Sequence, residues 1–194
     1  MQAKSPKEKS LGIVRNIWIA LFRGINVGGH NMLPMRDLTA TLTQLGASDV
    51  TTYIQSGNVV FRYPRLAAEP LAQRIAAGVK QQYGFEPRVL LLTSQELEQA
   101  AAANPFAQHC AEPATVHVMF LAETPAKPDL AALEKTKAAR ESFVLAGRCF
   151  YLHTPDGFGQ SKLAERAERL LGVHGTARNW RTVEKLLELV RGMQ

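Results

Sequence analysis

Four short polar stretches carry residue types that could hold an anion. The first, RGINVGG at 23–29, follows the apolar run NIWIALF and precedes a segment with helical spacing. Backbone N–H groups in a glycine-rich turn can converge on a phosphate, and the positive end of the following helix adds to the attraction. Arg23 supplies a fork-shaped donor, with Gly24, Gly28 and Gly29 shaping the loop; Arg23, Lys162 and Arg178 would neutralise the anion while Asn26, Asn58 and Asn179 orient it. The spacing Gly24-x-x-x-Gly28-Gly29 is not the dinucleotide fingerprint. It is not a P-loop either, because no Gly-Lys-Ser/Thr follows. The competing reading is that the glycines only allow positive φ in a long turn.

TPDGFGQSK at 154–162 repeats the theme: Gly159 precedes Ser161, a good N-cap, and Lys162 falls in the first helical turn. A cation there opposes the helix dipole by about 0.3 to 1 kcal/mol, which suggests an anionic neighbour unless the lysine simply extends into water. GTARNWRT at 175–182 combines Arg178, Asn179, Trp180 and Arg181. An arginine beside an indole could stack a base or bind a phosphate; alternatively Trp180 fastens a helix to the core. Ser56, Gly57 and Asn58 read as a tight hairpin turn and as a fourth polar contributor.

Catalytic and metal patterns are weak. His30, His109, His117, His153 and His174 are scattered, none at the i, i+4 spacing of a metal pair, and there is no Gly-x-Ser-x-Gly elbow. Asp156, near His153 and Lys162, is the single local mixture of acid, base and cation, although Asp-Gly is also an ordinary turn. Cys110 and Cys149 are far apart and read as buried free thiols, not a zinc knuckle or redox dithiol. No motif names a metal or a cofactor. A net charge of +6 and a pI near 9.5 favour anionic partners. An RNA-recognition alignment that places Gly57 on the motif glycine puts Asn58 and Val60 where stacking aromatics belong, so Trp18 is expected in the core.

These stretches need elements to position them. NIWIALF (16–22) reads as a buried strand, followed by a helix with Met35, Leu38, Leu42 and Leu45 on one face. VTTYIQ and NVVFRY make a hairpin, a helix carries Leu71, Ile75 and Val79, and PRVLLLT is a further strand. This βαββαβ order over 16–93 predicts an α+β fold whose N-terminal half is a ferredoxin-like sheet with two helices on one face. A helix N-capped by Ser94 and a connector occupy 94–114. Over 115–194 the pattern starts again: strand TVHVMFLA, helix DLAALEKTKAAR, hairpin SFVLAG/RCFYLHT and a helix from Ser161. It ends on TVEKLLELV, a helix with Val183, Leu186, Leu187 and Val190 on one face, where a last strand is expected. The second half is therefore read as a related βαββαα subdomain packed on the first. Residues 1–15 read as a flexible basic tail. With 46% apolar and 21% charged residues, and no apolar run of about 18, the chain is expected to be cytoplasmic and not membrane-bound.

Taken together, LFRGINVGG, YIQSGNVVF, YLHTPDGFGQSKL and GTARNWRTVEKLLEL resemble the bacterial family known as domain of unknown function 1697. The resemblance spans about residues 16–190 and implies a single α+β body with a ferredoxin-like part; no activity comes with it. The residues that match its motifs are Arg23, Gly24, Asn26, Gly28, Gly29, Ser56, Gly57, Asn58, Gly159, Ser161, Lys162, Arg178, Asn179, Trp180 and Thr182. Binding of a phosphorylated small molecule or nucleotide, where these loops meet, is the leading expectation. Non-catalytic nucleic-acid binding along a basic surface, and an enzyme using Asp156 on a phosphorylated substrate, are the alternatives.

Overall fold

Strand β1 (Arg15–Arg23) buries side chains on both faces, with Ile19 and Leu21 on one side and Trp18, Ala20 and Phe22 on the other. Strand β5 (Val116–Leu121) does the same, with Val116, Val118 and Phe120 opposed by Met119 and Leu121. A strand apolar on both faces must sit inside a sheet covered on both sides. The computed structural model, which describes residues 15–64 and 66–194, places these two strands inside two antiparallel four-stranded sheets. The expected tail lies outside the described residues except for Arg15, which opens β1.

The first sheet has the order β2-β3-β1-β4, with β2 Ser48–Tyr53, β3 Asn58–Pro64 and β4 Arg88–Thr93. Its outer face is covered by α1 (Met35–Gln44) and α2 (Ala68–Tyr83), through Leu38, Leu42, Leu71, Ile75 and Val79. The second sheet repeats the order as β6-β7-β5-β8, with β6 Ser142–Ala146, β7 Cys149–His153 and β8 Gly175–Asn179. Its outer face packs on α4 (Leu130–Thr136) and α5 (Lys162–Leu171). Between the sheets lie α3 (Ser94–Ala102) and α6 (Trp180–Arg191), whose Leu97, Ala100, Val183, Leu186 and Val190 share one core with the inner faces of both. No helix among the described residues is long and apolar enough to cross a membrane.

Several expectations need correction. The second half is not βαββαα: β8 supplies the missing strand, so the last helix follows a strand and does not replace one. GTARN lacks apolar alternation and is poor in β-formers, and its register comes from pairing with β5, where Arg178 faces Val118. Gly175 opposes Leu121 so closely that a Cβ would stand 2.7 Å from Met119 Cγ. The cap of α3 is Thr93, which forms a capping box with Glu96, and Ser94 is the first helical residue. Helix α4 stops at Thr136, well short of Arg140: Lys137 turns extended, and Glu141 accepts the Ala138 N–H at 2.8 Å. Cys110 and Cys149 are free but half-buried, not buried.

Gly57 shows how tightly the β2–β3 turn is seated. Its φ is +74° and an added Cβ would lie 2.5 Å from Phe22 Cβ and 2.6 Å from Ile25 Cδ1, whereas Gly29 has φ +78° with open space around it. Gly57→Ala combines left-handed strain with overpacking, together about 2 to 4 kcal/mol, a fall in melting temperature of roughly 5 to 15 °C. Gly29→Ala carries the backbone strain alone, about 1 kcal/mol. Thermal unfolding of both variants checks the ordering, and equal losses would contradict it.

Candidate functional site

The carboxyl end of β1 and the edge strand β8 approach each other at the seam between the two sheets. Arg178 and Thr176 sit on the same face of β8, the one turned toward the first sheet, and Ala177 between them faces α5. The Arg178 guanidinium therefore crosses the seam. Its Nε donates to Asn58 Oδ1, Nη2 donates to Phe22 O (2.7 Å) with a longer contact to Ser56 O (3.4 Å), and Nη1 donates to Ala177 O (2.8 Å). Asn58 is wholly buried, and its amide donates in turn to Tyr53 O (3.1 Å) and Ser56 Oγ (3.0 Å). Among the described residues Arg178 forms no ion pair. Burial pulls its pKa down to about 10, so it stays charged at neutral pH with no carboxylate to balance it.

Beside Arg178 opens a cleft of about 280 Å³, lined among others by Arg23, Phe158, Glu165, Glu168, Gly175 and Thr176. Arg23 is paired with Glu168 and also donates to Gly175 O (3.0 Å), while Glu168 accepts the Gly175 N–H at 2.6 Å. Burial raises the Glu168 carboxyl pKa, but Arg23, the Gly175 N–H and His174 more than offset that and hold it below the usual range. Glu168 is thus an anion at neutral pH. Next to the cleft, Arg88 donates to His174 Nδ1 (3.2 Å), and Arg169 lines an adjoining hollow with Glu168. In the cleft lining Arg23 and Arg178 are matched by Glu165 and Glu168, and Arg88 and Arg169 add positive charge beside it.

The structure brings Arg23, Ser56, Gly57, Asn58 and Arg178 together at this seam, but it employs the other predicted residues elsewhere. Asn26, at φ +54°, is a peg: its amide donates to Leu33 O (2.9 Å) and Gln55 O (2.8 Å), and its oxygen accepts the Leu33 N–H (2.7 Å). Gly24 offers its carbonyl to Asn31, and Gly28 and Gly29, both at positive φ, make the exposed turn that His30 closes onto Val27 O. Asn26 also borders a wider hollow of about 580 Å³ with Met32, Pro34 and Met35, whose cation, Arg36, already lies 3.4 Å from Asp37. Ser161 caps α5 through Ala164 N (3.0 Å), and Lys162, exposed at the first helical position, does not line the cleft; nor does Gly159. Asn179 caps α6 through Thr182, and Trp180, like Trp18, is in the core, so neither indole presents a face for a base. Asp156 is an exposed partner of Arg140 (2.6 Å) and does not line the cleft. Among the described residues no group of three or more His, Cys, Asp or Glu could hold a metal ion.

The residues that sequence reasoning missed are Glu168 and the Phe158–His117 pair. Nothing distinguishes Glu168 from Glu165 along α5 except the strand pairing that brings Gly175 to it. His117 stacks on Phe158, with centroids 4.1 Å apart and planes 24° apart. It is 8% exposed and its Nδ1 has no hydrogen-bond partner among the described residues. Burial, only partly offset by the Thr115 backbone, lowers its pKa from 6.5 to about 4. Between those values the unfolded chain binds the proton and the folded one does not. Stability therefore falls as pH drops from about 6.5 through 4, by up to about 3 kcal/mol from this residue. His117→Gln should flatten the pH dependence of unfolding free energy in that window and leave it unchanged above pH 7. An unaltered slope would show that His117 does not resist protonation.

No curated protein matches the chain. A solved structure, that of the conserved bacterial protein SP0830 from Streptococcus pneumoniae, superposes with a TM-score of 0.69 over 91% of this chain and 99% of that one, at 24% identity. That likeness concerns the fold. A family model described as "Protein of unknown function (DUF1697)" matches residues 16–151, which include Arg23 and Asn58 but stop short of Glu168 and Arg178. With more than half of its length matched, the chain belongs to the DUF1697 family.

Proposed function

We propose that the protein is a cytoplasmic binding protein for a phosphorylated small molecule or nucleotide, whose anionic group enters the seam cleft beside Arg23 and Arg178. The observation that carries this reading is the Arg178 charge, enclosed among carbonyl oxygens and in no ion pair among the described residues. A cation fixed in that way favours a second, exchangeable anion nearby, because Coulomb interactions strengthen as water is excluded. Arg23, whose side chain is 43% exposed, is the cation that an incoming ligand can reach. Phe158 offers an apolar wall on the other side of the cleft. The scaffold reading goes with this: the antiparallel order β2-β3-β1-β4 and its repeat β6-β7-β5-β8 support taking each half as a ferredoxin-like unit with the site between them.

A thermal-shift screen with inorganic phosphate, sugar phosphates and nucleotides tests the reading. A ligand at a hundredfold excess over its Kd stabilises by about 2.7 kcal/mol, a rise of roughly 5 to 10 °C for a chain of this size. Arg23→Ala should weaken binding by about ten- to a hundredfold, the worth of a charge-assisted guanidinium contact. Lys162→Ala should respond as the wild type does, since Lys162 does not line the cleft. If no phosphorylated compound stabilises the wild type, the reading fails.

A further inference from the structure

Two donors in the cleft are already occupied, and the occupant belongs to the protein. One oxygen of Glu168 receives both the Arg23 guanidinium and the Gly175 backbone N–H, the latter at 2.6 Å. A guanidinium and a backbone N–H converging on one oxygen are the donor set that a phosphate or carboxylate ligand uses. The three parts come from separate layers: Arg23 ends a central strand of the first sheet, Gly175 opens the edge strand of the second, and Glu168 reaches in from α5. Neither side chain is sealed off, with 43% of Arg23 and 23% of Glu168 exposed. An anion arriving from solvent can therefore reach the Arg23 guanidinium from its exposed side.

We infer that Glu168 is an internal stand-in for the ligand's anionic group, and that a ligand binds by displacing its carboxylate from Arg23 and the Gly175 N–H. The inference rests on the proposed reading of the cleft as an anion site. It adds a ligand class, an oxyanion that sets one oxygen between these donors, and a form of regulation, because the protein's own carboxylate competes with the ligand. Competition of this kind lowers apparent affinity by the fraction of time the donors are free. It also makes the site selective: an anion that cannot bond both donors does not repay the loss of Glu168.

The experiment uses the full chain, with inorganic phosphate and acetate as probes, and measures binding by calorimetry and stabilisation by thermal shift. Glu168→Ala empties the donors, and Glu168→Gln keeps the side chain's shape while removing its charge, so the test survives if the alanine variant folds poorly. Glu165→Gln removes a charge from the same cleft wall without touching the donors. The expected result is affinity for phosphate about tenfold or more above wild type in the Glu168 variants. Acetate, the severed carboxylate in soluble form, should restore part of the melting temperature lost in Glu168→Ala, and Arg23→Ala combined with Glu168→Ala should abolish both effects. Phosphate binding to the wild type with no gain in either Glu168 variant would overturn the inference and leave the anion-site reading intact. A gain in Glu165→Gln equal to that in Glu168→Ala would reduce the effect to net charge and overturn the inference, leaving the anion-site reading intact. If neither probe affects the wild type or any variant, both fall.

Discussion

Arg178 is the side chain on which the arrangement of the two sheets depends. It leaves an edge strand of one sheet, and its guanidinium ends on a buried asparagine and a strand-end carbonyl of the other. Enclosing a charge without a counter-charge is costly, and the cost is offset only where the polar groups around it are many and well aimed. Here they are aimed by a chain of dependencies. Asn58 accepts from Arg178 because its amide is held by Tyr53 O and Ser56 Oγ, and that turn is seated on Phe22 because residue 57 has no Cβ. Phe22 N in turn donates to Gly57 O at 2.8 Å, while Phe22 O serves Arg178. A lysine, with a compact ammonium, could not serve oxygens spread around such a plane.

The same seam follows from the apolar patterning. Each sheet has two apolar faces, and each half has two helices for its outer face, so the inner faces would stand open if either half were alone. Helices α3 and α6 close that gap once for both sheets. The Tyr151 hydroxyl, which donates to Ala100 O at 2.8 Å, and the Glu96–Arg148 ion pair tie the second sheet to α3. With the shared core in the middle and polar ties both within it and at its edge, the seam is built to hold one geometry. Polar contacts set register where apolar packing alone tolerates sliding.

How much of this was legible can be judged residue by residue. Strong periodicity announced itself: NIWIALF and TVHVMFLA are strands, and TVEKLLELV is a helix with Val183, Leu186 and Val190 in the core, as expected. β8 was illegible because a short edge strand borrows its conformation from its neighbour, and Gly-Thr-Ala-Arg-Asn has no pattern of its own. The loop residues were legible as to kind but not as to role. Asn26, Asn179 and Ser161 are polar because turns and helix ends leave backbone groups unpaired, and each spends its side chain on that need. Glu168 was illegible for the opposite reason, since a glutamate on an amphipathic helix reads as a solvated surface until the fold shows what lies across from it.

That distinction separates the two arginines. Arg178 has given nearly every donor to carbonyl and amide oxygens of the protein, so its guanidinium is committed to joining the two sheets. Arg23, 43% exposed, is held by an ion pair to the largely buried Glu168 carboxylate, which also accepts the Gly175 N–H. On the proposed anion-site reading the two would divide the labour: the fixed cation would favour negative charge in the cleft, and the solvent-facing one would make the bond. The glycine-rich loop, whose composition looks most like a phosphate cradle, is instead closed upon itself by Asn26 and Asn31 and has turned its backbone to its own use. Chemistry in this chain is therefore to be sought where the two sheets meet, at residues that owe their proximity to topology and not to closeness in sequence.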